Sequence, residues 1–295
     1  MNPISYPYSR YHGLGNDYLV IDPRHWPIPL NAGMIRLLCH RHYGIGSDGL
    51  VYGPFWQEGQ IHLRIYNPDG SLAEKSGNGL RIFARYLYEQ GDVGRHFTLY
   101  PTGGAVTADL LDATGTQIRL AMGTATFWSH HIPVLGATRE VVGEEMMVGE
   151  RPYRLTCLSL GNPHAVIFTP QTSEDLTRQL GPLVENHPNF PQRINFQLVQ
   201  VIDRQTIALH IWERGAGYTL ASGSSTCAAV AAAHRHGLTA RQVAAQMPGG
   251  TLYVDIGDDG MLSLTGPVSG LSSGQLHPNL VQEVVNRISS SSAQK

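Results

Sequence analysis

Strand-type and helix-type patterns alternate along the chain, and both halves show them in the same order. Residues 61–66 and 207–212 are rich in β-branched and aromatic residues, with apolar and polar positions alternating; each predicts a strand. Residues 67–71 (Asn-Pro-Asp-Gly-Ser) predict a turn, because Pro presets φ, Gly tolerates positive φ and Asp bonds the local backbone. After residues 76–79 (Ser-Gly-Asn-Gly), Leu80, Ile82, Phe83, Tyr86 and Leu87 recur at helical spacing, and Gly91 marks the helix end. In the second half, residues 222–224 (Ser-Gly-Ser) precede the small-residue run 227–233, a helix that stops at Gly237 and packs tightly on its neighbours.

The correspondence between the halves is an internal repeat. Leu14-Gly15-Asn16 returns as Leu160-Gly161-Asn162, an offset of 161 − 15 = 146. Leu63 to Tyr66 returns as Leu209 to Trp212, Ser76-Gly77 as Ser222-Gly223, and Gly103-Gly104 with Asp109 as Gly249-Gly250 with Asp255, all at that offset. Several segments in one register imply two copies of one α+β unit, related by an approximate two-fold, with a cleft between them as a candidate ligand site. The predicted fold is two pseudo-symmetric lobes, each a mostly antiparallel sheet wrapped round a central helix. The N-terminal lobe spans 1–123 and is completed by a strand near 268–278. The C-terminal lobe spans 124–267, and 279–295 form a tail whose Ser-rich end, 289–295, reads as disordered.

Composition narrows the chemistry. Of 295 residues, 42% are apolar and 15% charged, with net charge −2, which supports packed cores and gives no reason to expect nucleic acid or an anionic membrane as partner. The start of the chain has no signal-type apolar run, and no stretch of about 18 apolar residues exists, so a cytoplasmic protein is expected. Cys39, Cys157 and Cys227 are too few and scattered for a disulfide framework or zinc site, and read as buried reduced thiols. The pairs His40/His42 and His130/His131 lack a carboxylate or Cys at metal spacing. Apart from Lys295 at the end, Lys75 is the one lysine, which disfavours a pyridoxal-phosphate Schiff base.

Each copy sets Ser, Gly and a small polar residue at a helix start, where unpaired N–H groups and the helix dipole favour carboxylates. Two such starts converging on one point would hold a carboxylate and stabilise charge developing on it. The plain alternative is that Ser76 and Ser222 are ordinary N-caps.

With these residues the chain resembles the diaminopimelate epimerase family. The resemblance runs from residues 11–17 (Tyr-His-Gly-Leu-Gly-Asn-Asp) to Gly266-Pro267 and includes residues 44–49, Gly77-Asn78-Gly79 with Arg81, 161–164, and 213–217. It implies an isomerase without cofactor or metal, interconverting LL- and meso-diaminopimelate, a lysine and peptidoglycan precursor, by two-base proton exchange at the α-carbon. The bases map to Ser76 and Ser222, where the family pattern has cysteine; a hydroxyl is a poor base unless another group activates it, so impaired exchange is expected. His164 and Glu213 would orient the reacting amine. Gly77, Asn78, Gly223 and Ser224 would hold the reacting carboxylate, and Asn16, Asn67, Asn162, Asn195, Glu213 and Arg214 the distal carboxylate and amine. Tyr218 and Ser225 are smaller departures, where relatives often have Glu and Gly. Two other readings stay open: another racemase or isomerase of the same fold, as in the phenazine-biosynthesis isomerases, and a non-catalytic ligand-binding paralogue. The expected partner is a small amino acid, and a homodimer is the simplest assembly to expect.

Overall fold

The structure, a computed structural model, describes residues 6–26, 28–73 and 75–292. It divides into two compact units, one of Met1–Leu120 with Pro267–Lys295 and one of Ala121–Gly266. The fold is α+β, with mixed sheet and few helices.

The first stretch runs β1 (Pro7–Gly13), β2 (Asn16–Ile21), α1 (Ala32–Cys39), β3 (Gly49–Gln57), β4 (Gln60–Tyr66), β5 (Leu72–Ala73), α2 (Gly77–Glu89), β6 (His96–Tyr100), β7 (Val106–Leu110) and β8 (Gln117–Thr124). The chain continues through a 3-10 turn (Ser129–His131), β9 (Glu144–Val148), β10 (Arg151–Ser159), β11 (Pro163–Phe168), α3 (Glu174–Glu185), β12 (Asn195–Asp203), β13 (Thr206–Glu213), β14 (Gly217–Thr219), α4 (Gly223–Arg235), β15 (Gln242–Met247), β16 (Gly250–Ile256) and β17 (Met261–Pro267). It then returns to the first unit with β18 (Ser269–Gln275), which pairs antiparallel with β1, and α5 (Pro278–Ser292).

The repeat seen in the sequence is a repeat of strand register. In the first unit β2 and β3 run parallel with Tyr18 opposite Gly49, and β4 and β6 run parallel with Ile61 opposite Leu99. In the second, β11 and β12 run parallel with His164 opposite Asn195, and β13 and β15 with Ile207 opposite Ala245. Each of these partners is displaced by the same offset, as 164 − 18 = 146 and 195 − 49 = 146 show. The remaining pairs within the units are mostly antiparallel, such as Leu50 opposite Tyr66 and Phe196 opposite Trp212.

One helix is central to each unit. α2 packs on β1, β2, β3 and β7 and buries Leu80, Ile82, Phe83, Ala84 and Leu87. α4 packs on β10, β11, β12, β13, β15 and β16, and its run from Cys227 to Ala233 is buried throughout. Alanines there let the backbone approach the strands without displacing bulky side chains. Both helices stop as expected: Gly91 and Gly237 follow the last turns with φ of 74° and 70°, a conformation that other residues adopt at a cost. In the 67–71 turn, Gly70 has φ 85° and its N–H donates to the Asn67 carbonyl at 2.9 Å. The three cysteines are buried and form no disulfide, and among the described residues no helix is long and apolar enough to cross a membrane.

The tail departs from expectation. Residues 278–292 form α5, packed against α1, so that 289–292, expected to be disordered, continue a helix; 293–295 lie outside the described residues. Leu280, Val281 and Val284 share a helical face, and Val284 is fully buried in a cluster with Leu38, Trp26 and Leu276. The serines drew attention from that apolar spacing. Val284→Asp should therefore lower stability by about 3 kcal/mol or more, since it buries an unpaired carboxylate. Exposed Gln282→Asp should stay within about 0.5 kcal/mol. Urea unfolding of both variants checks this, and equal effects would show that α5 does not pack on its unit.

Candidate functional site

In the first unit the candidate residues gather at the start of α2. The β1–β2 hairpin closes over two residues, with Gly13 opposite Asn16. Its turn holds Leu14 at φ 54° and Gly15 at φ 84°; positive φ at both central positions suits the twist of a tight hairpin, though it strains the leucine. Asn16 is thereby set where its Oδ1 accepts from Asn78 Nδ2 at 2.9 Å and its Nδ2 donates to Asp48 Oδ2 at 3.2 Å. Asn78 lies in the first turn of α2, and its Oδ1 accepts from Arg81 Nη2 at 2.7 Å. Arg81 is fully buried. These bonds fix which way both amides face. Asp48 joins Arg41, which also pairs with Asp17 at 2.8 Å; Arg10 pairs with Asp17 as well. Burial alone would raise the Asp17 carboxyl, but the hydrogen bonds from Arg41 and Arg10 hold it below the usual range.

Ser76 is the N-cap of α2, and its Oγ accepts from Gly79 N at 3.1 Å. The plain capping role is thus filled at this serine. The same oxygen is 3.1 Å from the Tyr18 hydroxyl. Gly77 and Asn78 are buried behind it. Asn67 keeps to its own turn: its side chain is exposed and Nδ2 donates to Ser71 Oγ at 2.9 Å.

In the second unit the start of α4 gathers the counterparts. Asn162 Nδ2 donates to Ser224 Oγ at 3.4 Å, the same sequence separation as Asn16 to Asn78. Asn162 Oδ1 meets His164 Nε2 at 3.0 Å, while Gln197 Nε2 lies 3.1 Å from His164 Nδ1 and 3.0 Å from Ser225 Oγ. An amide N–H on Nδ1 puts the imidazole proton on Nε2, facing Asn162. His164 is fully buried, and burial, aided by the charge of Arg214, pushes its pKa down to about 3. It is a neutral side chain that orients Asn162 and is enclosed by protein, instead of an exposed acid or base.

Ser222 is the N-cap of α4 but makes no side-chain cap bond. Its hydroxyl is instead in hydrogen-bonding range of Glu213 at the end of β13. Burial pushes the Glu213 carboxyl up from its ordinary value, and the Ser222 hydroxyl draws it partly back. The two serines, equivalent in sequence, are therefore not equivalent in their bonds. Asn195 is buried with its amide committed to backbone: Nδ2 donates to Pro163 O at 2.8 Å and Oδ1 accepts from Arg214 N at 2.9 Å. It pins the chain where Arg214 leaves β13, and the exposed Arg214 guanidinium donates to Gln192 O at 3.0 Å. Gly223 is buried at the helix start beside Ser224.

Sequence reasoning missed Tyr18 and Gln197, and it quoted Asp48 and Arg81 within the resemblance without giving either a role. Tyr18 alone carried a usable signal, because it sits one repeat before His164. Arg81 and Gln197 are ordinary polar residues until packing buries them, and Asp48 until Arg41 and Asn16 meet it.

The diaminopimelate epimerase family model matches residues 8–128 and 156–271. The chain is 46% identical over 283 residues to diaminopimelate epimerase 2 of Nostoc sp., covering 95% of this chain and 99% of that protein. It is 36% identical to the diaminopimelate epimerase of Pelotomaculum thermopropionicum, covering 91% and 98%. Among solved structures, a hydroxyproline epimerase from Agrobacterium vitis superposes with a TM-score of 0.69 at 13% identity, covering 93% of each chain. A Bacillus anthracis protein of the PhzF family gives 0.64 at 12%, covering 92% and 99%; both share the fold. A family model that matches most of the chain and near full-length relatives of one kind show that the chain belongs to the diaminopimelate epimerase family.

Proposed function

We propose that the chain binds diaminopimelate and interconverts its LL and meso forms by cofactor-independent proton exchange at the α-carbon, with Ser76 and Ser222 as the exchanging groups. The observation that carries this reading is the repeated helix start. In both units a Ser-Gly step opens a buried central helix, and a side chain from the preceding strand region, Asn16 or Asn162, bonds the second helical residue. Gly77, Asn78, Gly223 and Ser224 then supply N–H groups for the α-carboxylate, where negative charge grows as the α-proton leaves. Glu213 and His164 order the amine side. Arg214, with Asn16 and Asn162, serves the distal end, where the guanidinium suits a carboxylate and the amides an ammonium; Asn195 contributes by holding the backbone at Arg214, and Asn67 stays in its turn. A cytoplasmic location fits this reading, since the curated relatives are diaminopimelate epimerases of bacteria.

Serine at both positions makes the exchange slow. A thiol with pKa about 8.5 offers some thiolate near neutrality and a helix N-terminus increases it, whereas an aliphatic hydroxyl offers almost no alkoxide. Calorimetric titration with meso- and LL-diaminopimelate should show binding, and NMR in D₂O should show slow deuterium entry at the α-carbon. Ser76→Cys combined with Ser222→Cys should speed exchange by roughly 10²-fold or more. Absence of binding to either isomer would reject the substrate; binding with no exchange even after both substitutions would leave a ligand-binding protein instead of an enzyme.

His164 gives a second check, on stability. Its pKa is 6.5 when unfolded and about 3 when folded, so the unfolded state binds the extra proton between those values. Its contribution is complete above pH 6.5 and is lost as pH falls toward 3, at up to about 1.4 kcal/mol per pH unit. His164→Gln should flatten that acid limb in urea unfolding between pH 4 and 7. An unchanged slope would mean that His164 takes up its proton in the folded state.

A further inference from the structure

We propose that Tyr18 is a positioning residue for Ser76, with its phenol relaying the proton that the serine hydroxyl exchanges. The inference rests on the reading of Ser76 as one of the two exchanging groups.

Four observations lead to Tyr18. Its hydroxyl lies 3.1 Å from Ser76 Oγ. Its ring is fixed in place: a Cβ on Gly49, the residue directly opposite on β3, would come within 2.4 Å of Tyr18 Cε1, and one on Gly79 within 3.5 Å. Glycine at 49 thus leaves the space that the ring fills, while the ring stands in ordinary contact range of Gly79 at the helix start. Tyr18 is also buried, at 8% exposure, so the phenol meets Ser76 largely away from water. Finally, Tyr18 occupies in the first unit the register position that His164 occupies in the second, with Gly49 in place of Asn195.

The direction of the bond follows from acidity. A phenol, pKa about 10, is a far stronger acid than an aliphatic alcohol, so it donates and the serine oxygen accepts. Ser76 Oγ also accepts from Gly79 N–H, which leaves its own proton to point away from both donors. When Ser76 gives that proton to the α-carbon, the Oγ–H bond breaks and a C–H bond forms. The phenol proton passes to Oγ in the same movement, so the charge comes to rest on the Tyr18 phenolate instead of an alkoxide, and water returns a proton to the phenolate. In the reverse direction each transfer runs backward. A serine backed by a phenol approaches the acidity of the thiol that the family pattern has here.

The test reads this acidity without relying on turnover. Ser76→Cys places a thiol beside the phenol in the full-length protein, and the pH dependence of its alkylation by iodoacetamide reports the thiol pKa. Background is low because Cys39, Cys157 and Cys227 are buried, and burial pushes the thiols of Cys39 and Cys157 up. Adding Tyr18→Phe keeps the ring and removes the donor. Lys75 and the Asp48–Arg41–Asp17 cluster are common to both proteins, so the difference belongs to the phenol. The alkylation midpoint should rise by about one to two pH units, making alkylation at pH 7 roughly ten- to a hundred-fold slower. If Tyr18→Phe lowers the melting temperature markedly, Tyr18→Leu must give the same rise. Coincident profiles with and without the phenol would overturn the proposal. Protection of the introduced thiol by meso-diaminopimelate is read separately: its absence counts against the substrate, and the comparison of profiles stands on its own.

Discussion

The start of each central helix is the constraint to which the other features answer. A helix buried from its first residue leaves leading N–H groups that water cannot satisfy, so side chains or a ligand must meet them. In α2 part of that demand is met by Ser76, which accepts from Gly79. In α4 Ser222 makes no such bond and faces Glu213 instead. Gly77 and Gly223 are buried in the first turn, and Asn16 and Asn162 fix the second helical residue from outside. The strands, turns and helix ends of each unit hold these starts in place.

Duplication explains why the parts correspond, and divergence explains why they no longer match. The strand register is preserved between the units, down to Tyr18 with Gly49 and His164 with Asn195. The polar chemistry laid over it is not. Where the first unit puts a phenol against its serine, the second puts a neutral imidazole against Asn162, held by Gln197, while Gln197 also reaches Ser225. Register depends on many backbone bonds and a whole apolar face, so single substitutions leave it intact. A side-chain pair depends on two residues and can change whenever both change.

The same distinction decides what the sequence disclosed. Strands 61–66 and 207–212, the turn at 67–71 and both helix ends were legible, because periodicity and glycine placement act locally. The repeat offset disclosed the two helix starts. The helix over 278–292 was not legible in the serines at its end; its apolar face of Leu280, Val281 and Val284 becomes meaningful only against α1. The polar network was less legible. Nothing local tells that Arg81 is fully buried behind Asn78, or that Asn195 spends its amide on backbone while Asn67 stays in its turn. Such facts depend on which chain segments meet, and only the folded units supply that.

Serine at a helix start presents a conflict that cysteine avoids. The property that makes serine a good N-cap, a small oxygen that readily accepts from backbone N–H, also commits its lone pair and leaves the hydroxyl weakly basic. A thiol is a poor hydrogen-bond acceptor, caps weakly, and so stays available as a thiolate whose charge the helix start favours. Ser76 shows the conflict directly, since its oxygen is occupied by Gly79. Ser222 shows one way around it: uncapped, it is left to a carboxylate whose pKa burial has raised. A carboxylate in that condition is a stronger base than an exposed one, and a hydroxyl beside it can transmit that basicity. Two serines at matched positions therefore differ in what they can exchange, the capped one bonded to backbone and the uncapped one to a carboxylate.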